Sequence, residues 1–257
     1  MEIKVDFTKS AQENADEYYK RSKKLLQKRE GAGKAIAELK KRLKKARESA
    51  PVTEKAIITE KREKEWYEKF HWFFTSNGML AVAGKDAHQN ELLNSKHFED
   101  KDLFFHANIF GAPVTILMGG ANAPKEIREE VAQFAASYSS AWKDGLHVID
   151  VYAMKREQVS KSTSKGSLGT GSFLLSGERD WYHGMTLGLV MFLREGRLHS
   201  VPLVTFFKME EKPQKHVKIS IGREKKSDAA KRIAGLLGYD DLDTIIQMLP
   251  AGSFKVN

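Results

Sequence analysis

Residues 66–93, WYEKFHWFFTSNGMLAVAGKDAHQNELL, carry the pattern that decides the fold. An aromatic-dense run over 66–76 meets a second apolar run, Met79–Ala83, across Asn77-Gly78. Asn-Gly between two apolar runs is the strongest short hairpin signal, because both residues tolerate positive φ. Asp86 is then a predicted N-cap, with Gln89 at the capping-box position, and it opens the helix DAHQNELLNSKHF. A hairpin that runs straight into a helix points to an antiparallel sheet with helices beside it.

Outward from this stretch, Leu103–Ala107 and Val114–Met118 read as strands. Pro124 suits a first helical turn, and Glu126, Glu129 and Glu130 favour the positive helix end. Ile127, Val131, Phe134, Tyr138 and Trp142 extend one apolar face of that helix to about Lys143. Ala132, Ala135, Ala136 and Ser137 flank the face and let it lie close to a sheet. His147–Ala153 reads as a buried strand. Residues 160–172, SKSTSKGSLGTGS, form a Ser/Gly/Lys loop before a strand at Phe173–Leu175. Val201–Phe207 and Val217–Ile221 read as further strands, and Lys225–Leu237 and Asp241–Leu249 as two short helices.

The first quarter of the chain is different in kind. No Pro occurs from Ser10 to Ser49, and Ser10 with Glu13 forms a capping box. Ala11, Ala15, Tyr18, Ser22, Leu25, Arg29, Ala32, Ile36, Leu39, Leu43 and Ala46 recur at an average step of 3.5 residues. That heptad seam predicts a coiled-coil helix of about 60 Å, ended by Pro51. Gly31 and Gly33 weaken its middle by roughly 1 kcal/mol each, a place for a local bend. With no second heptad stretch in these 257 residues, the seam calls for a second copy of the chain or a separate helical arm. The expected fold is therefore α+β (mixed α/β). A long amino-terminal coiled-coil helix at 1–50 and a connector at 51–69 precede a globular domain at 70–200. This domain has a central, mostly antiparallel sheet with flanking helices, and strands and helices of 201–257 pack on or beside it.

Composition narrows the function classes. The 257 residues are 41% hydrophobic and 30% charged, and contain no Cys. Disulfides, thiolate metal sites and cysteine nucleophiles are excluded at once. The longest apolar runs fall far short of the ~20 residues that span a bilayer. The opening MEIKVDF lacks the order of a secretory signal, so a cytoplasmic location is expected. Forty-three Lys and Arg against 34 Asp and Glu give a net charge of +9. Residues 1–70 alone hold 20 basic and 13 acidic residues, a concentration that suits a polyanion such as RNA. A solvated lysine face explains the same numbers about as well.

The motifs are weighed in the same way. GKDAHQNE, Gly84–Glu91, sits at a strand-to-helix turn where backbone donors and Lys85 suit phosphate. Asp86, Glu91 and His106 around a metal form the alternative, that of a metal-dependent enzyme acting on nucleic acid. His106 within FFHANIFGAPV has no Ser/His/Asp partner order or nucleophile elbow beside it. QVSKSTSKGSLGTGSF places Lys161 and Lys165 among hydroxyls and glycines, a mix suited to phosphate, though it is no Walker loop. A flexible surface hairpin loop and a protein-interaction scaffold remain the other readings.

The runs EKFHWFFTSNGMLAVAGKDAHQNELL, LFFHANIFGAPV, SYSSAW, VYAMKREQVSK and GSLGTGSFLLSGERDW resemble the NFACT-R domain in order and spacing. SAQENADEYYKR is similar to the second coiled-coil helix of that family, and KKSDAAKRIAGLLG and IIQMLPAGSFKVN to the tail of its archaeal members. The resemblance implies the carboxy-terminal part of an NFACT, or fibronectin-binding-like, ribosome quality-control factor. Such factors bind a large ribosomal subunit with a stalled peptidyl-tRNA and recruit tRNA. The resemblance further implies no catalysis and no cofactor in this portion, because the tRNA-selecting amino-terminal domain has no counterpart in this sequence. The expected RNA contacts are Lys85, His106, Gln158, Lys161, Lys165 and Arg179, with Lys20, Lys24, Lys41 and Lys45 on the rod. Trp72, Gly84, Asp86, Gln89, Asn90, Glu91, Gly111, Gly171, Ser172 and Phe173 are expected to be structural. Three departures stand out. Lys85 and His88 replace the family's Arg and Gln, Asn108 and Phe110 replace an Asp and a second His, and Glu178 replaces a common basic residue.

Overall fold

The computed structural model describes residues 5–49, 64–163 and 166–257. The chain divides into two compact units, Met1–Arg62 and Glu63–Asn257. In the first, α1 spans Ala11–Ser49 and continues through Gly31 and Gly33. Its start is the expected capping box: the Glu13 N–H donates to Ser10 Oγ at 3.2 Å, and the Ser10 N–H to Glu13 Oε2 at 2.8 Å. Leu25 and Leu39, both on the predicted seam, are 57% and 59% exposed. Of the expected connector, residues 51–63 lie outside the described residues.

The second unit holds the hairpin β1 (His71–Phe74) and β2 (Leu80–Ala83). Phe74 pairs with Leu80, and Gly78 has φ +85° in the turn between them. α2 (Ala87–Lys96) follows, then β3 (Leu103–Ala107), β4 (Thr115–Leu117), α3 (Lys125–Ser137) and α4 (Ser140–Lys143). β5 (Val148–Lys155) leads into the short strands β6 (Val159–Ser160), β7 (Ser162–Thr163), β8 (Gly166–Ser167) and β9 (Leu174–Leu175). The chain closes with β10 (Asp180–Thr186), β11 (Leu189–Arg194), β12 (Arg197–Pro202), α5 (Leu203–Lys208), β13 (His216–Glu224), α6 (Lys226–Leu237), α7 (Leu242–Met248) and β14 (Phe254–Val256). One antiparallel sheet has the order β1-β2-β4-β3-β5-β10 and a second the order β12-β11-β13-β14.

α3 lies against β3, β5 and β10 of the first sheet and against β12 of the second. Its Ile127 and Val131–Ser137 are buried, and the small residues there allow the close approach to both layers. The buried polar groups of α3 tie the layers together. The Gln133 amide donates to Thr186 O and accepts the Val204 N–H, and Ser137 Oγ meets both backbone groups of Gly188. Glu130 is completely buried, and its carboxylate accepts from the Ser76 N–H and hydroxyl, the Thr205 hydroxyl and the Lys208 ammonium. The opposite face of the first sheet carries a second core of Phe70, Val82, Leu93, Phe98, Phe104, Ile116 and Met154.

Four sequence expectations are corrected. Val201–Phe207 is not one strand: β12 ends at Pro202, which begins α5, and a short apolar run cannot by itself separate strand from helix. The helix expected to reach Lys143 stops at Ser137, because the Ser139 hydroxyl caps a new turn through the Ala141 N–H. β5 is buried only over Val151–Met154, with Val148 exposed. The expected boundary after residue 200 falls inside β12. That strand pairs with β11, which pairs with β13, so 201–257 completes the same unit.

Candidate nucleic-acid interface

Gly84–Glu91 folds into a turn whose polar groups are almost all engaged with the protein. The Gln89 N–H donates to Asp86 Oδ1 at 2.8 Å, making Asp86 the N-cap of α2. Gln89 Oε1 accepts the Lys85 N–H at 3.0 Å rather than that of Asp86, a box displaced by one residue. Asn90 Oδ1 accepts the Val114 N–H at 3.0 Å and holds the helix to β4. A side chain at Gly84 would collide with Asn90, which explains the glycine. Glu91 Oε2 accepts from the Gly171 N–H at 3.2 Å and the Lys161 ammonium at 3.1 Å, binding the glycine loop to the helix. Gly171 has φ +77° and packs on Ala87, so a Cβ there would be both strained and crowded.

The side chain this turn leaves over is Lys85. It is half-buried, and among the described residues its ammonium has no acceptor. Lys85 lines a cleft of about 730 Å³ together with Lys226, Lys143, His71, His106 and Phe110. The loop residues Gly111, Gly171, Ser172 and Phe173 form further walls. Burial lowers the pKa of Lys85 below the usual lysine value, and the nearby Lys226 ammonium adds to the effect. Burial likewise lowers Lys226, which donates to Leu249 O at 2.9 Å. His71 stacks on Tyr138 at 3.9 Å, and burial with the charges of Lys85 and Lys226 holds its pKa well below the ordinary histidine value. The cleft thus gathers three lysines with one carboxylate, Asp86, and the desolvation and mutual repulsion of Lys85 and Lys226 are relieved by a bound anion.

His106 joins the cleft to the sheet. On the sheet face away from α3, His106 pairs in register with Tyr152, and Tyr152 with Trp181. Tyr152 Oη lies 3.3 Å from His106 Nδ1, and Trp181 meets Tyr152 edge-on at 5.3 Å. The exposed Arg179 guanidinium sits over both rings, 4.5 Å from Tyr152 and 5.7 Å from Trp181. Burial lowers the His106 pKa, with the charge of Arg179 contributing. Tyr152 is itself buried, so the surfaces this row offers to an unpaired base are the exposed Arg179 guanidinium and the part-exposed Trp181 ring.

The expected contact residues divide. Lys85, His106 and Arg179 come together around the cleft and the row. Lys161 does not present an open ammonium: it donates to Gly169 O at 2.7 Å and to Glu91, and lies over Phe173, so it fastens the loop from inside. Gln158 is similarly used, accepting the Lys155 N–H at 2.8 Å and donating to Glu178 O at 2.7 Å. Lys165 lies outside the described residues, as does the side chain of Lys45. Lys20, Lys24 and Lys41 are exposed on α1. Trp72, expected to be structural, packs edge-on against Tyr67 and Phe74 at the sheet edge. For the metal alternative, Asp86 Oδ1 caps α2, Glu91 Oε2 binds Lys161 and Gly171, and His106 Nδ1 meets Tyr152; among the described residues no three His, Asp or Glu side chains are grouped to hold a metal ion. Sequence reasoning did not single out Lys143, Lys226 and Trp181 as candidates beside Lys85 and Arg179, because no local motif links segments so far apart. Phe110 was visible as a departure from the family pattern.

A family described as the NFACT protein RNA binding domain matches residues 69–177. The chain is 35% identical over 205 residues to the archaeal Rqc2 homolog aRqcH of Methanocaldococcus jannaschii, covering 76% of this chain and 30% of that protein. It is 34% identical over 202 residues to the ribosome quality control complex subunit NEMF homolog of Drosophila melanogaster, covering 75% of this chain and 20% of that protein. Among solved structures it is similar to the C-terminal part of the fibronectin/fibrinogen-binding protein of Streptococcus suis. That match has 19% identity and a TM-score of 0.40, covering 68% of this chain and 76% of that one. The chain spans under a third of the length of these two curated relatives.

Proposed function

Because the chain belongs to the NFACT family, and to its archaeal type, we propose that it is the RNA- and ribosome-binding portion of a ribosome quality-control factor. In this reading it grips large-subunit RNA and tRNA on stalled nascent-chain complexes in the cytoplasm, and it breaks no bond. The observation that carries the reading is Lys85, a half-buried ammonium without an acceptor among the described residues, in a cleft shared with Lys143 and Lys226. His106 and Arg179 extend the contact across the sheet, and within the other unit Lys20, Lys24 and Lys41 of α1 are RNA contacts of their own. Phosphate contacts supply affinity, and the folded shape of the RNA supplies selectivity. The seam of α1 pairs with a second copy of the chain or with another helical arm, which buries Leu25 and Leu39.

Salt-titrated binding to purified large ribosomal subunits and to tRNA tests this reading. The expected result is affinity that falls steeply with salt, and a loss of binding in Lys85→Glu and Arg179→Glu. A flat salt response, or full binding by both charge reversals, overturns it.

A further inference from the structure

Phe110 is 99% exposed, on a loop that is otherwise fixed. Its carbonyl accepts the Ser140 hydroxyl at 2.6 Å, and Gly111 turns the backbone away at φ +82°. The ring therefore contributes nothing to the core, and Phe110 stands at the open rim of the cleft that Lys85, Lys143 and Lys226 line. A lone exposed aromatic on a surface needs no explanation, but one whose backbone is tied to Ser140 at the rim of a cleft lined by three lysines has the two parts of a nucleotide site.

We propose that this cleft takes one unpaired nucleotide of the bound RNA, its base stacked on Phe110 and its phosphate held between Lys85, Lys143 and Lys226. The proposal rests on the RNA-binding reading above and adds strand character to it. Inside a duplex each base has both faces stacked on its neighbours and only the two ends are open, whereas a single strand can offer a base face to Phe110 at any position. The lysines act as point charges around the phosphate, and this arrangement demands no particular base. The low pKa directions of Lys85 and Lys226 agree with a site whose like charges wait for an anion.

The test compares an unstructured oligouridylate with an RNA duplex of matched length, on wild type, Phe110→Ala and Lys226→Met. Phe110→Ala is expected to weaken the single strand roughly five- to a hundredfold and to leave the duplex unchanged. The slope of affinity against salt stays as in wild type, because no phosphate contact is lost. Lys226→Met is expected to lower that slope by about 0.7. Since the Phe110 ring buries nothing, its removal does not threaten folding. Unchanged single-strand affinity in Phe110→Ala, or an equal loss on the duplex, overturns the nucleotide site. In either case salt-dependent binding by wild type leaves the broader RNA-binding reading standing. A wild type that binds neither RNA overturns that reading too.

Discussion

Replacing Lys161 by Met separates two roles that one lysine can have in a Ser/Gly loop. The substitution keeps the aliphatic stem near Phe173 and removes an ammonium shared by Glu91 Oε2, Gly169 O and Ser172 O. Of the two carbonyl bonds, one is short at 2.7 Å and the other sits at 3.4 Å, so their loss costs about 1 kcal/mol of stability. The local effect is larger. Residues 160–173 lose an anchor to α2, and the Gly171 N–H, which donates to Glu91 at 3.2 Å, exchanges with solvent faster. A phosphate contact would behave differently, since losing one lowers the salt slope of single-stranded RNA binding by about 0.7. Between about 50 and about 200 mM salt that slope difference is about 2.6-fold in relative affinity. Hydrogen exchange at Gly171 and Ser172, measured beside salt-titrated RNA anisotropy, reads both effects. The expected outcome is faster exchange with an unchanged salt slope. A reduced slope with unchanged exchange would show that Lys161 touches RNA, and would refute its role as an internal fastener.

The buried Glu130 carboxylate holds the β1–β2 turn and α5 to α3. Glu130→Ala is expected to cost about 3–5 kcal/mol in urea unfolding, and Glu130→Gln distinctly less, since it keeps an acceptor; equal stability of Glu130→Ala and wild type would sink this. Stability is also expected to fall as pH drops below about 6.5, because burial lowers His71, His97, His106 and His199 in the folded state. The sign follows from proton counting: the unfolded chain binds protons first, so each such histidine stabilises the fold above its unfolded pKa and loses that contribution below it. Urea midpoints at about pH 7.5 and about pH 5.5 check this, and a midpoint that rises on acidification contradicts it. Finally, sedimentation should show concentration-dependent self-association of the isolated chain, abolished by Leu25→Asp with Leu39→Asp. A wild type that stays monomeric at all concentrations removes the second-copy arm of that proposal.

The reach of sequence reasoning follows the range of the interaction. The β1–β2 hairpin, the Asp86 cap, the Ser10–Glu13 box and the length of α1 were legible, because each depends on residues a few positions apart. The small-residue face of α3 was legible as packing, though not as the layer between two sheets. β10, β11, β12 and β14 went unread, and Val201–Phe207 was misassigned. In those segments pairing partners decide the conformation, and Pro202 serves as readily to begin α5 as to end a strand.

At the site the division is the same. By itself the sequence determined that these residues are on balance basic and include no thiol, and it offered Lys85, His106 and Arg179 only as candidates for RNA contact. Only the tertiary structure decided which charges remain open. Lys161 reads identically to Lys85 in the sequence, but Glu91 and two loop carbonyls capture it, while Lys85 meets Lys226 from a helix far along the chain. A side chain's type is a local property, whereas its unsatisfied charge is set by whatever the fold packs against it.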